Sequence, residues 1–218
     1  LDPAGVILLA IDTCLDACSV AVWADERVLA ARSEPMRRGH QERLAVMAEA
    51  TMAEAGTGFS ALDRIGVTLG PGSFTGLRVG LAFAKGLGVA LDRPVAGVGV
   101  LEALALGVSE GFVAAVIDAR RDQVYVQAFE GGRALMAPDV LPTETAAARL
   151  AELWPGGPAA LVGPGAALFA DVLPQARLIE RAAPDPGAVA LLVARAQPPF
   201  PPPRPLYLRA PDARLAQS

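Results

Sequence analysis

Residues 6–12, Val6-Ile7-Leu8-Leu9-Ala10-Ile11-Asp12, return in altered form as Phe112-Val113-Ala114-Ala115-Val116-Ile117-Asp118. Each is an apolar run of strand length that stops at an aspartate. Each is followed by a turn and a second strand-like stretch, Cys18 to Trp23 in one case and Val124 to Phe129 in the other. A shift of 106 positions lays Ile11-Asp12 on Ile117-Asp118, Asp16 on Asp122, Val20 on Val126 and Trp23 on Phe129. A second echo sets Leu69-Gly70-Pro71-Gly72 against Val162-Gly163-Pro164-Gly165, each a strand end running into a helix. Self-similarity at half the chain length predicts two related α/β lobes, residues 1–108 and residues 109–218, the second with an extended proline-rich end.

Working outward, Arg27 to Ser33 reads as a third strand, and Gln41 to Ala55 places Leu44, Met47, Ala48, Thr51 and Ala55 on one helical face closed by Gly56. Ile65 to Leu69 is a strand, Phe74 to about Leu87 a long helix, Val95 to Val98 a strand and Leu101 to Leu106 a helix. The second half is weaker in pattern: helices over Thr143 to Leu153 and Pro186 to Ala196, and a strand over Ala159 to Val162. From Gln197 onward, successive prolines forbid helix. Leu206-Tyr207-Leu208-Arg209 then either docks on the fold or forms a loose tail.

The chain has 218 residues, 53% of them hydrophobic, enough for a real core. The longest uninterrupted apolar runs fall far short of the roughly 20 residues that span a bilayer. Leu1 to Gly5 carries no basic region ahead of an apolar one, so no secretory signal, no membrane contact and a cytoplasmic location are expected. A net charge of -4 gives no global electrostatic case for nucleic-acid binding by the chain alone. Cys14 and Cys18 have no neighbouring His or further Cys to complete a zinc site and read as buried thiols.

The loop Leu69-Gly70-Pro71-Gly72-Ser73-Phe74-Thr75-Gly76-Leu77-Arg78 has phosphate-loop composition without the spacing: no Lys-Ser/Thr follows paired glycines. The single histidine, His40, has no nucleophile motif to serve and reads as a helix-start or surface residue. Asp12 and Asp118 end the repeated strands, where a two-lobed nucleotide enzyme would hold a cation, yet Thr13-Cys14-Leu15 offers no Gly or Lys to approach a phosphate. In the long helix Gly76, Gly80, Ala84 and Gly88 recur every fourth residue. Each helical glycine costs about 1 kcal/mol relative to Ala. A bare flank therefore implies close approach of another backbone, internal or across an interface.

Leu8-Leu9-Ala10-Ile11-Asp12-Thr13, Ala17-Cys18-Ser19-Val20-Ala21, Gly39-His40, Gly70 through Gly80, Lys85-Gly86-Leu87, Ile117-Asp118-Ala119-Arg120 and Pro205-Leu206-Tyr207-Leu208-Arg209 together resemble the TsaB (YeaZ) family. The resemblance implies a two-lobed actin/hexokinase/Hsp70-like (ASKHA) α/β fold with duplicated RNase H-like lobes. It also implies a non-catalytic subunit of the bacterial machinery that installs threonylcarbamoyl on N6 of adenosine 37 in tRNA. The implied partners are the catalytic relative TsaD and the ATPase TsaE, with a homodimer when the chain is alone and tRNA met only through the complex. No cofactor of its own is implied; ATP or ADP has a place only at the junction of the complex. In TsaD a His-Leu-Glu-Ala-His segment holds a metal, and here it falls on Val100-Leu101-Glu102-Ala103-Leu104, so neither metal histidine is present. By the same resemblance His40, Leu44, Met47, Thr51, Gly76, Val79, Gly80 and Phe83 form the partner interface, while Asp12, Thr13 and Asp118 outline a vestigial nucleotide cleft. The alternative is an ATP-dependent small-molecule kinase of the same superfamily, using Asp12 or Asp118 with magnesium.

Overall fold

Two sheets with one strand order organise the chain. The structure, a computed structural model, describes residues 5–209; the first four residues, on which the reading of the N-terminus falls, and the last nine lie outside the described residues. The first half runs β1 (Leu8–Asp12), β2 (Ala17–Ala24), β3 (Arg27–Pro35), α1 (His40–Glu54), β4 (Arg64–Thr68), α2 (Phe74–Leu91), β5 (Val95–Val98) and α3 (Val100–Ala105). The second runs β6 (Phe112–Arg120), β7 (Gln123–Glu130), β8 (Arg133–Ala134), β9 (Asp139–Pro142), α4 (Thr143–Leu153), β10 (Ala159–Val162), β11 (Arg177–Ile179) and α5 (Pro186–Arg195).

The first sheet is ordered β3-β2-β1-β4-β5, the second β8-β7-β6-β10-β11 with β9 also on β7. In each, a hairpin pairs antiparallel and the later strands run parallel to the hairpin's first strand. The duplication expected from the sequence is therefore a duplication of topology. Its register differs by one residue, because residues 13–18 separate Asp12 from its partner Ser19 whereas only residues 119–123 separate Asp118 from Val124. Arg120, Arg121 and Asp122 carry the shorter turn at φ of 66°, 54° and 56°. The Gly-Pro-Gly echo is real at its glycines, with φ of +101° at Gly70 and +115° at Gly163. Its helix is not repeated: Gly72 leads into the 18-residue α2, whereas Gly165 leads only into a 3-10 turn over Ala166–Phe169.

The division at residue 108 needs correction, because the two halves exchange their last helices. Val100, Leu101 and Leu104 of α3 join a core with Val113, Ala115, Ile117 and Phe129 of the second sheet. Val189, Ala190 and Val193 of α5 pack on Leu8, Ala10 and Ala21 of the first sheet. The Arg64 guanidinium fixes the end of α5, donating to the carbonyls of Val193 (2.7 Å) and Ala196 (2.9 Å). The proline-rich segment continues along the first half, and Leu206 N–H donates to Leu69 O at 2.7 Å. Each lobe is thus completed by residues of the other, and a cut at 108 would strip both.

Among the described residues α2 alone has the length and hydropathy of a membrane-spanning helix, with a mean hydropathy of 1.3 over 18 residues. Uninterrupted runs in the sequence hid this, since Arg78 and Lys85 break them. One face, Gly76, Leu77, Gly80, Leu81, Ala84 and Gly88, is buried in the fold.

Candidate functional site

α2 begins where Ser73 caps it, its hydroxyl accepting from Gly76 N–H at 3.3 Å. The glycine flank then settles the question left open by the sequence. A Cβ at Gly76 would stand 2.0 Å from Thr13 O, and one at Gly80 would stand 2.5 Å from Thr13 Oγ1. The helix therefore sits directly on the turn that follows β1. Two further bonds hold it there: Thr13 Oγ1 donates to Gly76 O at 2.7 Å and Ser73 N–H donates to Cys14 O at 2.7 Å. This flank is internal packing.

Beneath α2 lies a closed polar cluster. Asp12 is 1% exposed; its Oδ1 accepts from Thr68 Oγ1 at 2.5 Å and from Cys14 N–H at 3.2 Å, while Oδ2 has no partner. Because the Thr68 proton is spent on Asp12, the Cys14 thiol is the donor across its 3.0 Å contact with Thr68 Oγ1. Burial raises the Asp12 carboxyl above the ordinary carboxylate range and pushes the Cys14 thiol well up; Cys18 is pushed up to about 11, also by burial. Neither thiol is set up as a nucleophile.

The cleft between the lobes, about 490 Å³, is lined by Cys14, Asp16, Arg37 and Ser73 on one side and by Asp118, Arg120 and Tyr125 on the other. Asp12 and Thr13 do not line it, so the expected grouping of Asp12, Thr13 and Asp118 in one cleft is corrected: of the three only Asp118 faces it. The rim charges compensate each other, with Arg37 on Asp16 at 2.9 Å and Arg120 on Asp118 at 3.3 Å. Val100 and Leu104, which stand at the metal-histidine positions of the related motif, are wholly buried among apolar neighbours. These residues do not fit a metal, and no group of three or more His, Cys, Asp or Glu side chains converges among the described residues.

The second candidate is the outer face of α1 and α2. A groove of about 510 Å³ runs along Gln41, Leu44, Phe74, Thr75, Arg78, Val79, Ala82 and Phe83. Phe74 is 48% exposed and Val46 52%. Of the eight residues expected at an interface, Val79 and Phe83 are half-buried and line the groove, as does the edge of Leu44. His40, Met47, Thr51, Gly76 and Gly80 are buried in the fold. The resemblance named the two helices, and most of the residues it picked on them lie on the side that faces the core. His40 is no surface residue; its Nε2–H donates to Ala17 O at 3.2 Å and ties α1 to β2. Sequence reasoning missed Gln41, Thr75 and Ala82, whose exposed positions beside Val79 follow from the helical period once the buried flank is known.

The repeated sheet order, the exchanged helices and the cleft between the lobes define a class of two-lobed α/β proteins built on a duplicated sheet. Component A of (R)-2-hydroxyglutaryl-CoA dehydratase from Acidaminococcus fermentans shares this fold, with a TM-score of 0.54 at 10% identity over 87% of this chain and 96% of that one. Within the class the chain belongs to the TsaB (YeaZ) family. YeaZ from Pseudomonas aeruginosa superposes with a TM-score of 0.75 at 34% identity, covering 86% of this chain and 90% of that one. The Escherichia coli K12 tRNA threonylcarbamoyladenosine biosynthesis protein TsaB is 38% identical over 122 residues, 54% of this chain and 52% of that protein, so the match spans about half of that relative. The family profile described as TsaD, tRNA N6-adenosine threonylcarbamoyltransferase, matches residues 32–161.

Proposed function

We propose that this chain is a non-catalytic scaffold and dimerisation subunit of the bacterial complex that makes N6-threonylcarbamoyladenosine in tRNA. It docks a catalytic paralogue of the TsaD kind through the α1–α2 face. The carrying observation is that face: an 18-residue apolar helix whose glycine flank is spent on the Thr13 turn, leaving Phe74, Val79, Ala82 and Phe83 on an open groove. The reading without chemistry of its own is supported by Asp12, sealed under α2, and by Val100 and Leu104, core residues where a metal centre would need ligands. In this reading an ATPase of the TsaE kind is the third member, tRNA is reached through the assembly, and a homodimer forms over the same face when the paralogue is absent. ATP or ADP is bound at the junction of subunits, and the complex works in the cytoplasm.

Sedimentation velocity of the chain alone, with its cognate TsaD, and with an Ala82→Asp variant tests this. Ala82 is exposed on the groove, so the substitution charges the face without entering the core. A substitution at Gly80 would not serve, since any side chain there meets Thr13. A mixed species lost with Ala82→Asp is the expected result. Absence of a mixed species with a folded TsaD, or ATP turnover by the isolated chain, overturns the reading.

A further inference from the structure

The proline-rich segment ends on the groove. Tyr207 lies beside Phe74 with ring centroids 5.5 Å apart, and the Arg78 guanidinium is stacked 3.7 Å from the centroid of the Phe74 ring. Arg78 Nε–H donates to the Tyr207 hydroxyl at 3.1 Å. Tyr207 is held from both sides, by Leu206 N–H on Leu69 O and by Arg209 Nη1 on Ala119 O at 2.8 Å. Three side chains from two distant parts of the chain thus form one fixed aromatic and cationic corner at the start of α2.

Among the described residues Arg78 has no carboxylate partner, in contrast to Arg37, Arg43, Arg120 and Arg177. It is the one charged side chain lining a mostly apolar groove whose other polar residues are Gln41 and Thr75, with most of its donors unspent. Covering the groove desolvates this guanidinium, which is unfavourable unless the covering surface brings a counter-charge. A planar, pre-oriented fork is suited to a carboxylate taken side-on.

We propose that Tyr207 and Phe74 hold Arg78 as a pre-set anchor of the docking face, and that the catalytic paralogue places an Asp or Glu side chain on it. This rests on the docking reading given above. The segment after α5 is then part of the interface, and Tyr207 is a positioning residue that acts through Arg78.

The test is calorimetric titration of the full chain with its cognate TsaD at several salt concentrations, for the wild type and for Arg78→Met, Tyr207→Ala, the double variant and Ala82→Asp, each checked for an unchanged melting temperature. Arg78→Met is expected to weaken binding by about tenfold or more and to flatten its salt dependence. Tyr207→Ala is expected to weaken it less, and the double variant to lose little beyond Arg78→Met, because both act through one group. Arg78→Lys keeps the charge without the fork and is expected to recover the salt dependence but only part of the affinity. Wild-type affinity and salt dependence in Arg78→Met, with binding abolished by Ala82→Asp, overturns the anchor and leaves the docking face standing. Unchanged binding by Ala82→Asp overturns the docking reading itself. Fully additive losses at Arg78 and Tyr207 overturn the positioning role. A homodimer sensitive to Arg78→Met while TsaD binding is not overturns the choice of occupant.

Discussion

The two halves of the chain share a strand order and differ in what stands over the first hairpin. In the first half a helix of 18 residues lies on the turn after Asp12, brought within contact by glycines. In the second half the corresponding connection between parallel strands, residues 163–176, contains a four-residue 3-10 turn that ends at the buried ring of Phe169, and Asp118 lies at the cleft. One duplicated plan has thus yielded two kinds of surface. The half with the glycine flank has a sealed strand-end carboxylate and an outward apolar helix; the half without it has an accessible carboxylate and, among the described residues, no helix of that length and hydropathy. Close packing of a helix against a turn buries the polar cluster beneath it and leaves the helix's other face on an open groove.

The contrast is broken most severely at its packing centres. In the second half, Phe169→Ala empties a place in the core cluster that also holds Phe112, Leu161 and Leu173, and a loss of about 3–5 kcal/mol is expected, measured by urea denaturation. In the first half the sensitive change is the opposite one. Gly76→Ala adds a methyl group where backbone carbonyl already stands, and overpacking of this kind costs about 1–3 kcal/mol. A Gly76→Ala protein as stable as the wild type would show that α2 can ride outward freely, and with that the sealing of Asp12 would lose its cause.

Legibility in the sequence followed the same division. The apolar runs ending in Asp12 and Asp118 gave both hairpins, and the three-and-four spacing of Leu44, Met47, Ala48 and Thr51 gave α1 with its buried face. The strands β8, β9 and β11 escaped because they are two to four residues long and largely exposed, so no alternation can be written in them. The exchange of α3 and α5 is invisible to periodicity, which says that a helix has an apolar face and not which sheet receives it. At the candidate site, glycine spacing announced a close approach, but only the contact with Thr13 shows that the approach is internal. The open groove was then readable by elimination, and Tyr207 was beyond reach, since it meets Phe74 and Arg78 across more than half the chain.

A milder substitution tests the seal over Asp12. Burial holds its carboxyl above the ordinary value of 3.8, so across the interval between that value and the raised one the folded state keeps a proton that the unfolded chain releases. Stability contributed by this group is therefore intact at acidic pH and falls as pH rises through the interval. Asp12→Asn has no proton to lose and retains an oxygen for Thr68 and Cys14 N–H. Its stability relative to the wild type is expected to grow from pH 4 to pH 7 in urea melts. A difference that stays level, or shrinks, would mean that Asp12 is ionised and solvated, and that the first half is as open as the second.

The smallest effect belongs to Asp118, and its smallness is what separates the two aspartates. Its Oδ2 pairs with Arg120 in water-exposed surroundings, an interaction worth about 0–1 kcal/mol. Its Oδ1 has a firmer task, accepting from Arg120 N–H at 2.7 Å where the backbone turns to positive φ. Asn preserves that acceptor and Ala does not. Asp118→Asn is expected to leave the unfolding midpoint nearly unchanged, and Asp118→Ala to lower stability by about 0.5–1.5 kcal/mol, the worth of one hydrogen bond. Equal losses in both would give the ion pair the leading part instead of the turn. A gain in both would mark Asp118 as a carboxylate held against the interest of folding, which is how a group retained for binding at the cleft behaves.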